Sequence, residues 1–460
     1  MGGTHPNTQL RRILEEIGWS PYELARRVNK LVPDDRRVNL KTPFTWRDRG
    51  TVPRDPLPSV VAGILTEARG EVVTVDQLWP GHATSRVWLP AGADISTERW
   101  CPDETLTLLG KASYPGRGGP KYFAISGTEL TATARSWAVG NHPLTTTAVV
   151  TGPGVTGEFV DYLERDLANL RRLDDGQGGQ LLTRAVELRL TQVAEVLRDC
   201  SYPTALSRRL YSVAGQMAQM AGWMAFDLGD DGLAQRMYLV GLRAAVAAGD
   251  RPLGALILSC VAQQQTWRNQ AHDAVSIMGV ISRGVQQPMP RRVRALMEMR
   301  SARAFAATGS PHKTAAALDR AFEALDCSPD ESEPEWVYWL DHSVLAGEAG
   351  RCYLMLGDKP RAAAHLTDGL SSVGSDATRD RVLYGLYLAL THAPDGRAIG
   401  DVELACYQAK QVLPLIPQVG SARCRTLLNT VLAELRPHKR TPAVRELVDK
   451  SESLRGPVVC

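Results

Sequence analysis

The side chains whose type and spacing suit a chemical task are cations. Lys41, Arg47, Arg49 and Arg54, with the hydroxyls of Thr42 and Thr45, crowd into and just before the stretch TPFTWRDRGTVPRDPLP. Between residues 26 and 54 nine Lys or Arg face only Asp34, Asp35 and Asp48, a surplus of six, although the 460-residue chain carries a net charge of only +3. Positive charge is therefore concentrated locally. Such a cluster can neutralise a row of phosphates, while guanidinium and hydroxyl donors reach between them. Trp46 is expected to pack rather than bind, and Phe44 is open to either role.

Elsewhere the residues argue against catalysis. Nine histidines lie without HxxxH or HExxH spacing, so no zinc site is expected, and no other metal or cofactor is implied. The glycine clusters at 116–120 and 176–179 lack the GK[ST] ending of a phosphate cradle and read as turns. Asp174 and Asp175, beside the second cluster, read as loop residues. No nucleophile–base constellation is visible, and the expectation is a protein that is not an enzyme. Eight cysteines stand singly with no CxxC pair, as thiols do in a reducing cytoplasm. The opening MGGTHPNTQL lacks signal-peptide character, and the most apolar run, Leu253–Ala262, is about half a membrane span. A cytoplasmic location without a membrane partner is expected.

The elements that must position the cations read as five short helices. Leu10, Ile13, Leu14 and Ile17 make one apolar face that Gly18 ends. Ser20-Pro21-Tyr22-Glu23 forms a capping box, and Leu24, Val28 and Leu31 follow at helical spacing. Thr42-Pro43 opens a third helix through Arg49, with Thr42 as its cap and Gly50 as its stop. Leu57, Val60, Val61, Ile64 and Leu65 mark a fourth, and Thr74 with Gln77 caps a fifth. The third helix then occupies the place of the second helix of a helix-turn-helix pair, which enters the major groove of duplex DNA.

The segment FTWRDRGTVPRDPLPSVVAGILTEARGEVVTVDQLWPG resembles the DNA-binding end of large actinobacterial regulators that join a Cro/repressor-like helix-turn-helix to tetratricopeptide repeats. Trp46, Gly50, Pro53, Pro56 and Leu78-Trp79 carry the resemblance. One departure is the ten-residue segment Val32–Lys41, where a tight helix-turn-helix has three or four. The resemblance implies control of development or secondary metabolism.

Beyond residue 155 the chain repeats. Gly222, Ala225, Gly229, Ala234, Tyr238 and Gly241 are spaced 3, 4, 5, 4 and 3, and Gly350, Tyr353, Gly357, Ala362, Leu366 and Gly369 share that spacing. A weaker copy holds Ala302, Phe305, Gly309 and Ala315, with others around Ala274 and Ala405. The pattern is similar to tetratricopeptide repeats. Small residues let paired helices approach, and the central glycine turns the chain. The expected architecture is all-α. An N-terminal helix-turn-helix domain (1–80) leads through a connector (81–154), carrying a docked element around ELTATARSWAV, to a tetratricopeptide-like α-solenoid (155–460), whose entry helices are interrupted by LDDGQGG. Gln263-Gln264-Gln265, Arg268 and Asn269 form a polar patch within an apolar repeat, and Gln264, Arg268 and Asn269 are the candidate effector contacts.

The function expected is a DNA-binding transcriptional regulator, a homodimer on double-stranded DNA. Its repeats would mediate oligomerisation or sense a peptide, small-molecule or protein effector. The alternative is a repeat-based scaffold or adaptor that binds a protein partner.

Overall fold

The computed structural model describes residues 5–32, 37–54, 57–69, 73–82, 88–92, 95, 100–112, 121–139, 152–284, 289–328, 333–374, 376–394 and 400–454. Over these residues the chain is all-α apart from one short parallel strand pair and a parallel bridge between Gly154 and Ser201. Helices α1 (Thr8–Glu16), α2 (Pro21–Leu31), α3 (Thr42–Asp48), α4 (Leu57–Arg69) and α5 (Val75–Leu78) come first. They close around their own core, in which Leu10, Ile13, Leu14, Leu24, Val28, Trp46, Val61 and Leu65 are buried. Strand β1 (Trp88–Pro90) pairs with β2 (Lys121–Phe123), and α6 (Pro102–Ala112) lies between them in sequence. Helix α7 (Thr128–Val139) follows, covering the ELTATARSWAV segment expected to dock.

The remaining helices are α8 (Gly157–Gln177), α9 (Thr183–Asp199), α10 (Thr204–Asp227), α11 (Asp231–Ala248), α12 (Arg251–Trp267), α13 (Ala271–Gly284), α14 (Arg291–Ala307) and α15 (Pro311–Asp326). After them come α16 (His342–Met355), α17 (Lys359–Ser372), α18 (Thr378–His392), α19 (Val402–Val412), α20 (Ile416–Val419), α21 (Ala422–Leu435) and α22 (Pro442–Ser453). Most pack as hairpins, α10 on α11, α12 on α13, α14 on α15, α16 on α17 and α18 on α19.

The hairpins recur in contact as well as in sequence. A Cβ on Gly222 would stand 2.6 Å from the Tyr238 ring, and one on Gly350 would stand 2.5 Å from Cγ of Leu366, the equivalent residue. Gly241 approaches the Gly215 carbonyl, and Gly369 approaches that of Ser343, each at 3.0 Å from the built Cβ. The turns repeat too. Gly229 and Gly357 have φ of +85° and +80°, and the next residues, Asp230 and Asp358, cap α11 and α17 by accepting from Leu233 and Arg361 amides. The Asp230 and Asp358 amides bond back to the Ala225 and Tyr353 carbonyls. A left-handed glycine followed by a capping aspartate stops one helix and starts the next within two residues.

Three local expectations change. Helix α8 runs through LDDGQ to Gln177, and the chain breaks at Gly178, φ +76°, rather than in a loop at Leu173. Asp174 and Asp175 are thus last-turn helix residues, because packing of α8 outweighs the turn preference of Asp-Asp-Gly. In α3, Lys41 holds the N-cap position without a side-chain bond, and Thr42 lies inside the helix. At α2, Ser20 accepts from the Glu23 amide, but the Glu23 carboxylate reaches forward to Arg27, so the capping box is only half made.

Candidate functional site

Two regions bring functional side chains together. In the first, α3 is held from below and at both ends. Trp46 is buried, the Arg47 carbonyl accepts from the Asn7 amide at 2.8 Å, and Asn7 Nδ2 donates to the Leu78 carbonyl at 2.6 Å. Gly50 closes the helix with φ +61° where a Cβ would stand 2.3 Å from the His5 carbonyl oxygen. The long α2–α3 connection, of which residues 33–36 lie outside the described residues, is pinned by Asn29, which bonds both the amide and the carbonyl of Val38 at 2.7 and 2.8 Å.

The cations on this base are not equivalent. Arg47 is spent on Asp48 through two hydrogen bonds of 2.7 and 2.9 Å, and Arg11 adds a third contact to the same carboxylate at 3.3 Å. The hydrogen bond from Arg47, with smaller help from Arg11, holds the Asp48 carboxyl below its ordinary range. Arg47 also lies over the Phe44 ring at 5.1 Å, and Phe44 meets Tyr22 edge-on. Thr45 turns its hydroxyl back to the Thr42 carbonyl at 2.7 Å. Lys41, Arg49 and Arg54 are exposed, and none of the three makes an ion pair with a described residue. Of the residues picked from sequence, these three are available to a partner, whereas Arg47 must first release Asp48.

The second region lies among the hairpins. A cavity of about 140 Å³ is lined from α8, α10, α12, α14, α16, α18, α21 and the segment just before α16. Trp223, Trp336, Trp339 and Tyr384 supply aromatic wall. Arg171, Arg300, Arg351, Arg379 and Arg423 stand among Asp174, Asp175, Glu348 and Asp380. Most of these charges satisfy each other. Arg379 pairs with Asp174 at 3.0 Å and Asp227 at 3.2 Å, and Asp227 also accepts from Ser421 Oγ and Arg423 Nε, both at 2.8 Å. Burial pushes the Asp227 carboxyl up, but Arg423 and Arg379 bring it net below its ordinary value. Asp175 accepts the Tyr338 hydroxyl. Burial lowers Arg171 to about 10 and lifts Asp380 to about 6.

The polar patch expected to face an effector is directed inward. Gln264 is fully buried and donates to the Asp231 carbonyl at 2.7 Å. Arg268 donates to the Ala124 carbonyl at 3.1 Å, beneath the segment between β2 and α7. Asn269, with φ +59°, takes the place that glycine holds in the other turns and lets the Gln270 amide bond back to the Gln265 carbonyl. The cavity's charges were not legible in the sequence because they come from helices up to about 250 residues apart. The signal present was arginine and glutamate at otherwise apolar helix positions, as in MRSARAF and AGEAGR.

The described residues thus define an all-helical protein with a basic-faced N-terminal unit and a body of packed helical hairpins. A family model described as the SP15 N-terminal domain matches residues 10–78, the stretch over which α1–α5 share a core. No curated protein matches the chain. Among the described residues no group of His, Cys, Asp or Glu is arranged to hold a metal ion, and no helix is long and apolar enough to cross a membrane.

Proposed function

We propose that the protein is a sequence-specific DNA-binding transcriptional regulator. In this reading α2 and α3 form a helix-turn-helix pair, and the helical hairpins form a tetratricopeptide-like solenoid that mediates oligomerisation, effector sensing or both. One observation carries it. A short helix anchored by buried Trp46 has the exposed cations Lys41 and Arg49, unpaired among the described residues, at its two ends and Arg54 just beyond, within a segment whose surplus of six positive charges exceeds the +3 of the whole chain. Cations fixed on a rigid base can follow a phosphate backbone, and the helix between them is then set against the groove.

The test is selection of the full-length protein against a randomised duplex pool at about 150 mM salt. The reading expects one enriched motif, preferred over random duplex by roughly 10³ or more. A Lys41→Ala/Arg49→Ala variant should lose the enrichment, with a salt slope reduced by about two. Folded protein that enriches nothing, or a variant that enriches the same motif equally well, would overturn the reading in favour of a scaffold that binds a protein partner.

A further inference from the structure

The charge around Glu348 does not balance. Arg300, Arg303 and Arg351 are 6%, 7% and 3% exposed, and Glu348, itself 6% exposed, is the carboxylate they share. Arg351 donates to one oxygen of Glu348, and Arg303 lies 3.7 Å from the other. Arg300 makes no hydrogen bond and no ion pair with any described residue, its Nε is buried without a partner, and its side chain lines the cavity. A buried charge is retained only when something pairs with it, because its loss of hydration is otherwise uncompensated. The field at Tyr387, beside Arg351 and Arg303, is positive. Burial pushes the Tyr387 hydroxyl up, yet Arg351 and Arg303 bring it net below its ordinary value. Contrast Arg236 and Arg243, equally buried but bonded to backbone carbonyls of Ala91 and Ile95.

We propose that this cavity is a binding site for a small organic acid with an aromatic body, whose carboxylate is accepted by Arg300. Guanidinium pairs with carboxylate through two parallel hydrogen bonds, so Arg300 suits this group by geometry as well as charge. The body of the ligand meets Trp223, Trp336 and Tyr384. The volume of about 140 Å³ matches one ring, since an apolar cavity of about 150 Å³ accommodates benzene. The proposal deepens the sensing part of the preceding reading, but it concerns ligand binding alone and is tested without DNA.

The experiment uses the full chain at pH 7, with calorimetric titration and thermal unfolding. The probes are benzoate, phenylacetate and 3-phenylpropionate at up to roughly 10 mM, with benzyl alcohol as the neutral control and inorganic phosphate as the ringless anion. At least one carboxylate should bind and raise the melting temperature, at least about tenfold more tightly than either control. Arg300→Met should weaken that carboxylate about tenfold or more while melting no lower than the parent, because it removes an unpaired buried charge. Arg300→Lys should retain part of the binding. Three outcomes would each defeat the proposal: no carboxylate protecting the parent, phosphate protecting as well as the carboxylates, or Arg300→Met either binding like the parent or losing stability.

Discussion

Asp48 illustrates how one residue sets the strength of the basic face. It occupies Arg47 and approaches Arg11, two cations a polyanion would otherwise use. Exposed ion pairs of this kind contribute about 1 kcal/mol or less to stability, so their removal should leave the fold intact. Asp48→Asn is therefore expected to melt within a degree or two of the parent. On the proposed DNA-binding reading it should bind random duplex more tightly, with a salt dependence steeper by about one, because Arg47 becomes free to contact phosphate. Fluorescence anisotropy across a salt series checks this, and an unchanged slope would show that Arg47 does not face the nucleic acid. Trp46 was legible in the sequence as a packing residue, and it is buried. The pairing of Arg47 was not, since adjacent Arg-Asp in sequence leaves open whether the two side chains turn toward each other.

At the scale of elements, the glycine spacing of the hairpins carries its own explanation. Gly222 has no room for a methyl group because the Tyr238 ring lies against it from the next helix. Gly222→Ala should cost about 1–3 kcal/mol, as overpacking does. Gly110, in the last turn of α6 with nothing near its missing Cβ, makes the opposite case. Gly110→Ala should stabilise by up to about 1 kcal/mol through helix propensity. Urea melts of the two variants measure both, and equal effects would show that the shared spacing has no packing origin. These hairpins were readable in sequence because each contact lies within about thirty residues. The segment 81–154 was harder, since α7 and β2 are ordered by distant helices, as when Gln235 grips both the amide and the carbonyl of Ile125.

Across the whole molecule, Asp227 joins parts of the chain that sequence keeps far apart. From the end of α10 it holds Arg379 at the start of α18 and both Ser421 and Arg423 at the start of α21. Removing its charge strands the buried Arg423 guanidinium and leaves Arg379 with Asp174 alone, and Asp227→Asn should destabilise the protein by about 3–5 kcal/mol at pH 7. The sign with pH follows from its depressed folded value. The carboxylate contributes stability above the unfolded value of about 4, and that contribution is lost as pH falls through the lower folded value. The gap between parent and Asp227→Asn should therefore be widest at neutral pH and narrow toward strong acid. Denaturant melts at stepped pH test this, and a gap that widens on acidification would contradict the network.

Features that neighbouring residues along the chain can express were open to reading from the sequence. Helix periodicity, the proline, serine and threonine helix starts, the glycine turns and the local excess of cations all act over short stretches, so composition and spacing expose them. Tertiary structure alone decided which charges meet. Gln264, Arg268 and Asn269 read as a polar face until packing showed them bonded inward and turning a helix. Asp174 and Asp175 read as a loop until α8 carried them beside Arg379 and Tyr338. Arg300 stood out only once the fold had buried it near a carboxylate already taken by its neighbours, because the cost of burying a charge depends on its surroundings in space and not on its neighbours in sequence.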